Sequence, residues 1–190
     1  MNNYPIDKER KPIYVVLFVS RNKDNANVEN FKERRQSFIT SDLITDKHLL
    51  DKFYYFVSQG VTGEMSRMYY SVNERDSNKL QKKLIHFLID EDDFNMTAIN
   101  SKIAGLAASH DCAKEKKWLF DFDINDIHKA SKFCEDIKKI DSEIRVDIHK
   151  TPNGYAIISS RGFDTRELLV KWPEVTLKRD DLYCVSWSKK

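Results

Sequence analysis

Apolar and polar positions alternate most sharply at Trp118-Leu119-Phe120-Asp121-Phe122-Asp123-Ile124. A period of two is that of a strand, so Trp118, Phe120 and Phe122 fall on one face and Asp121 and Asp123 on the other. A second alternating run, Ile144 to His149, sets Ile144, Val146 and Ile148 against Arg145, Asp147 and His149. Between them, 127–140 has helical spacing. Thr151-Pro152-Asn153-Gly154 carries the Asn-Gly pair that favours a hairpin, and 155–160 reads as its returning strand. A short helix over 164–170 and strands over 175–180 and 182–187 follow.

The first half has fewer markers. Ile13 to Val19 is a continuous β-branched run, as in a buried strand. Residues 21–35 are polar and predict a loop and then a short helix. Leu49, Leu50, Phe53, Phe56 and Val57 recur at helical spacing within 46–58, with Gly60 beyond as a stop. A strand is predicted over 67–73. Asp76 or Ser77 caps a helix bearing Leu80, Leu84, Phe87 and Leu88, and a further helix spans about 97–108.

These elements predict an α+β fold: an N-terminal α/β unit over 1–112 packed on an RRM-like (β-α-β-β-α-β) antiparallel sheet over 113–190. The aromatic face of the Asp-x-Asp strand should meet the helices, leaving Asp121 and Asp123 on the open face.

Of the 190 residues, 41% are hydrophobic, enough for a core. The formal charge of +2 excludes little, because the basic residues are locally clustered. Cys112, Cys134 and Cys184 are widely spaced without a CxxC, which fits buried thiols rather than a disulfide framework. His110 and His128 close no zinc pattern with Cys112 or Cys134. There is no Walker-type loop. Residues 1–7 form no signal-peptide core, and no apolar run approaches membrane-spanning length. A cytoplasmic protein with no membrane partner is expected.

Two carboxylates on one strand face oppose each other's ionisation, and a divalent cation relieves the conflict. Asp-x-Asp alone is more often a solvated strand end; its place in the β-α-β-β-α-β order and a later acid shift the balance towards a metal site. Either Asp180 or Asp181 could be that acid or a turn residue, and the parity of Thr176, Lys178 and Asp180 favours Asp180. Tyr69 and Tyr70 suit base stacking or a half-buried strand. Lys79, Lys82 and Lys83 read as a solvated helix face.

In order and spacing, these motifs resemble the catalytic core of the archaeo-eukaryotic primase (primase-polymerase) superfamily. The carriers are Phe120-Asp121-Phe122-Asp123, the turn Thr151-Pro152-Asn153-Gly154-Tyr155 and the acid in Lys178-Arg179-Asp180. Phe163-Asp164-Thr165-Arg166 is similar to a segment of small phage-encoded members, and the likeness covers mainly 115–187. It implies a metal-dependent nucleotidyltransferase in which Asp121, Asp123 and Asp180 are catalytic and hold Mg2+ or Mn2+. Asn153, Gly154, Tyr155, Arg67 and Arg75 would contact nucleotide or phosphate. Implied partners are nucleoside triphosphates, single-stranded DNA or RNA, and a helicase or other replication protein. The family histidine after the turn is Ala156 here, and a methyl group donates no hydrogen bond. His149 and Arg161 lie near enough in sequence to stand in as phosphate-binding residues, although strand parity puts neither in its place. A non-catalytic nucleic-acid-binding or regulatory protein and a metal-dependent phosphodiesterase are the alternatives.

Overall fold

The computed structural model describes residues 11–190, so the leader-peptide reading of 1–7 falls outside the described residues. The elements are β1 (Tyr14–Ser20), β2 (Arg34–Thr40), α1 (Lys47–Ser58), β3 (Met65–Ser71), α2 (Ser77–Asp90), α3 (Ile99–Ala107), β4 (Trp118–Phe122), α4 (Ile127–Ile140), β5 (Val146–Lys150), β6 (Tyr155–Ser159), α5 (Arg166–Lys171), β7 (Val175–Arg179) and β8 (Leu182–Lys189). They form two four-stranded antiparallel sheets, ordered β2-β1-β3-β8 and β5-β6-β4-β7. The fold is α+β, and 118–179 carries the β-α-β-β-α-β order that the hydrophobic pattern predicts. No helix among the described residues is long and apolar enough to cross a membrane.

In the first sheet, Val16, Phe18, Met68 and Tyr70 share a core with Leu49, Phe53, Phe56 and Val57 of α1. Each such burial stabilises by roughly 1.5–3 kcal/mol, which outweighs the absence of a side-chain cap at Asp46. Asp76 does cap α2, accepting from the amides of Asn78 and Lys79. In the second sheet, Phe120 and Phe122 pack against Phe133 of α4 and are fully buried. The other β4 face is not open. Leu119, with Ala156 and Ile158 of β6, enters the core of the first sheet beside Tyr183.

Two local expectations change. Within 21–35 the helical turn comes first, as a single 3-10 turn at Asn22–Asp24, and the segment ends in edge strand β2, of which the hydrophobic pattern carries no signal and which pairing with β1 holds extended. The Asn153-Gly154 turn is not of the left-handed kind usual for that pair, since neither residue has positive φ. Gly154 is needed for proximity: a Cβ there would lie 2.0 Å from the carbonyl oxygen of Phe122.

The division at residue 112 also changes. β8 pairs with β3 throughout its length, so the chain crosses back and ends in the first sheet. Polar clamps hold the crossing. Asn73 donates to the Lys117 carbonyl (3.1 Å) and accepts from the Lys117 amide (3.0 Å). Asp180 accepts from Asn73 (3.0 Å) and from Arg75 Nη1 (2.8 Å). The Arg75 side chain is 1% exposed, so Asp180 compensates a fully buried cation.

Removing one partner of a buried ion pair leaves the other charge uncompensated. Asp180→Ala should therefore lower unfolding free energy by about 3–5 kcal/mol in chemical denaturation, whereas the exposed Asp181→Ala should cost under about 1 kcal/mol. Equal losses would contradict this placement of Asp180.

Candidate functional site

A cavity of about 500 Å³ opens between the two sheets, within the range usual for small-molecule sites. Leu17, Val19, Arg35, Arg67, Tyr69 and Cys184 line it from the first sheet, and Leu119, Asp121 and Ala156 from the second. Register explains the grouping: Leu17 pairs with Tyr69 and Val19 with Arg67, while Asp121 pairs with Ala156. Residues directly opposite in antiparallel strands share a face. Arg21, Lys23, Asp123, Thr151, Asn153, Lys178 and Asp181 stand around it as well, with Leu182 and Tyr183 of β8.

Asp121 is half-buried and Asp123 exposed. Burial, and secondarily the Asp123 carboxylate, raise the pKa of Asp121; Lys178 and Arg21 oppose that rise, and Asp181 adds to it. The strand alternation thus produces the predicted conflict between two acids, in surroundings that disfavour charge on the inner one. Five basic side chains face three carboxylates around this space, so the cavity as a whole favours an anion, with its negative charge carried by Asp121, Asp123 and Asp181.

Two of the basic groups are pre-oriented by a residue without any sequence signature. Asp24 accepts from Arg21 Nε at 2.7 Å and from Arg67 Nη2 at 2.5 Å. Arg67 is nearly buried, and its Nε has no hydrogen-bond partner among the described residues. Lys178 is the extra residue of a β-bulge, lying between Leu177 (opposite Phe120) and Arg179 (opposite Leu119). Bulges of this kind re-aim side chains beside functional sites.

The same bulge, followed by positive φ at Arg179, breaks the parity that favoured Asp180. Asp180 turns to Arg75 and Asn73, and Asp181 lines the cavity instead. Arg75 is likewise absent from the cavity. Arg67 and Asn153 are present, whereas Gly154 is packed against the end of β4. Tyr155 lies on the opposite face, packed against the α4 core with Lys150 Nζ 4.4 Å from its ring. Arg161 pairs with Asp141 at 2.6 Å on the exterior, and Arg166 with Asp164 beside the start of α5. His149 pairs directly with Ala156 and so shares its face, contrary to the parity expected from sequence. Its ring packs on Tyr183, and burial lowers its pKa, favouring the neutral imidazole.

Among the described residues, no group of three or more His, Cys, Asp or Glu side chains is placed to hold a metal ion. The Asp121–Asp123 pair fits a hard divalent cation only as part of a ligand set completed by water or by oxygens of a bound anion. The basic rim suits such an anion. Comparison with known proteins gives no match: no family model, no curated protein and no solved structure is similar to this chain.

An acid whose pKa is raised by folding is more readily protonated in the native than in the unfolded state. Its contribution to stability therefore declines as pH rises through the ordinary aspartate range towards the native value. Asp121→Asn should have a higher melting temperature than the wild type at pH 7, with the difference shrinking as pH falls through that range. A variant less stable than wild type at pH 7 would show that the ionised Asp121 is stabilised by its surroundings.

Proposed function

We propose that the inter-sheet cavity binds a nucleoside triphosphate with Mg2+ or Mn2+, and that the protein is a nucleotidyltransferase of primase-polymerase type. The observation that carries this reading is the meeting of the Asp121–Asp123 pair with Arg67, Arg21 and Lys178 around one space of nucleotide size. The element and strand order of the second sheet supports it as well.

Asp121 and Asp123 would hold the cation. When bound, a divalent ion supplies charge neutralisation on the triphosphate and a lowered pKa for an attacking hydroxyl. Arg67 and Arg21, held by Asp24, receive phosphate oxygens in a fixed orientation. Lys178 adds a point charge from the bulge. Leu17, Tyr69 and Leu119 provide apolar wall. Asp181 is the carboxylate available beside the pair, while Asp180 supports the clamp between the sheets. A cytoplasmic replication setting, phage-encoded and with a helicase or other replication protein as partner, accords with this reading.

One observation favours a second reading, a non-catalytic nucleotide- or nucleic-acid-binding protein on the same fold. Ala156 sits at the centre of the cavity-facing row, between Asp121 and His149, and brings no phosphate donor there.

Calorimetric titration with nucleoside triphosphates and manganese separates these possibilities. The intact protein should show saturable binding that is lost in Asp121→Ala/Asp123→Ala, and should add nucleotides to a primed template. Manganese-independent binding that survives the double substitution, without incorporation, would instead support the non-catalytic reading. Strand cleavage without incorporation would indicate a phosphodiesterase. Absence of any nucleotide binding would refute the proposal.

A further inference from the structure

The cavity does not end the polar surface of the first sheet. Trp187 of β8 pairs directly with Arg67 of β3, which pairs in turn with Val19 of β1. Val19 pairs with Arg35 of β2. Direct pairing puts all four on the sheet face that lines the cavity. Trp187 is at the edge of that face and 38% exposed. Two residues further on, alternation returns Lys189 to this face opposite Met65.

Lys189 and Met65 line a second depression of about 460 Å³, together with Lys23, Asn27 and Gly63. Lys23 belongs to the rims of both spaces. Trp187 therefore lies on the stretch of sheet that links the two, between Arg67 at one and Lys189 at the other. A hydrophobic core has no use for an exposed indole flanked by cations on an edge strand. A chain of phosphates and bases does: basic groups follow the backbone while aromatic faces stack bases without regard to sequence.

We propose that single-stranded nucleic acid runs from the cavity across Trp187 into the Lys23–Lys189 depression, with one base stacked on the indole. This deepens the nucleotidyltransferase reading and rests on it, because the strand in question is the one copied or extended at the cavity. Charge complementarity supports the choice of occupant, with Arg35, Arg67, Lys23 and Lys189 along the path. Glu29 and Asp24 also line the second depression, and Asp24 is already engaged by Arg21 and Arg67.

The test is fluorescence anisotropy with labelled oligothymidylate and oligouridylate at fixed salt, on wild type, Trp187→Ala, Trp187→Phe and Lys189→Ala. Trp187→Ala should weaken binding about tenfold, as expected for the loss of one stacked base, and Trp187→Phe should recover most of it. Lys189→Ala should weaken binding and flatten its salt dependence by about one phosphate contact. A preference between the two oligomers assigns the strand as DNA or RNA. All three variants should still unfold cooperatively, with Trp187→Ala lowered in melting temperature by the loss of the covered part of the ring, and nucleoside triphosphate binding by calorimetry should be unchanged. Oligomer affinity unchanged in Trp187→Ala, or no oligomer binding by the wild type, overturns the proposed path even if triphosphate binding stands. Trp187-dependent oligomer binding without triphosphate binding keeps the path and removes the nucleotidyltransferase reading.

Discussion

Both faces of β4 are committed, and the rest of the molecule follows from that constraint. Phe120 and Phe122 belong to the core under α4, while Leu119 belongs to the core of the first sheet. The strand is central, with β6 on one side and β7 on the other. Shifting its register by one residue would exchange aromatic rings for carboxylates on both sides. Asp121 is thus held half-buried by the packing of its neighbours, at a position where ionisation is disfavoured. The proposed function would explain why a packed fold carries this cost, since perturbed acids gather at functional sites.

The first sheet contributes the opposite charge. Arg67 comes from its interior, with Asp24 orienting it, and Arg21 follows directly after β1. Bringing these groups to Asp121 requires the two sheets to stay in register, and two features provide that. β8 returns to the first sheet after the second is complete, and Arg75, Asp180 and Asn73 form a buried polar junction where the chain crosses. A carboxylate that looks catalytic in sequence thereby has a structural role, and the neighbouring Asp181 has the cavity position.

Elements with strong periodicity were legible from the chain alone. The alternation in 118–124, the helical spacing in 46–58 and a cap at Asp76 or Ser77 are each written in residues close together along the chain. β2 was not legible, because an edge strand beginning Arg34-Arg35-Gln36 exposes its polar residues and takes its conformation from pairing with β1. The sheet that β8 joins is equally nonlocal. The choice between Asp180 and Asp181 failed by parity because the bulge at Lys178 adds a residue that alternation cannot anticipate. His149 facing the same way as Ala156 is likewise a matter of cross-strand register. The acidic pair could be found in sequence, but Arg21, Lys23, Arg35 and Lys178 meet it only after folding brings distant segments together.

The proposed function requires one metal–nucleotide complex in the space between the sheets, touching both. Manganese broadening of backbone amide resonances, recorded with a non-hydrolysable nucleoside triphosphate, tests it most directly. Signals from 121–123, 151–153 and 178–181 should broaden together with those of Arg67 and Arg21, and all should be spared in Asp121→Ala/Asp123→Ala. Broadening confined to scattered exposed acids such as Glu29 or Glu143, and unaffected by the double substitution, would contradict the account.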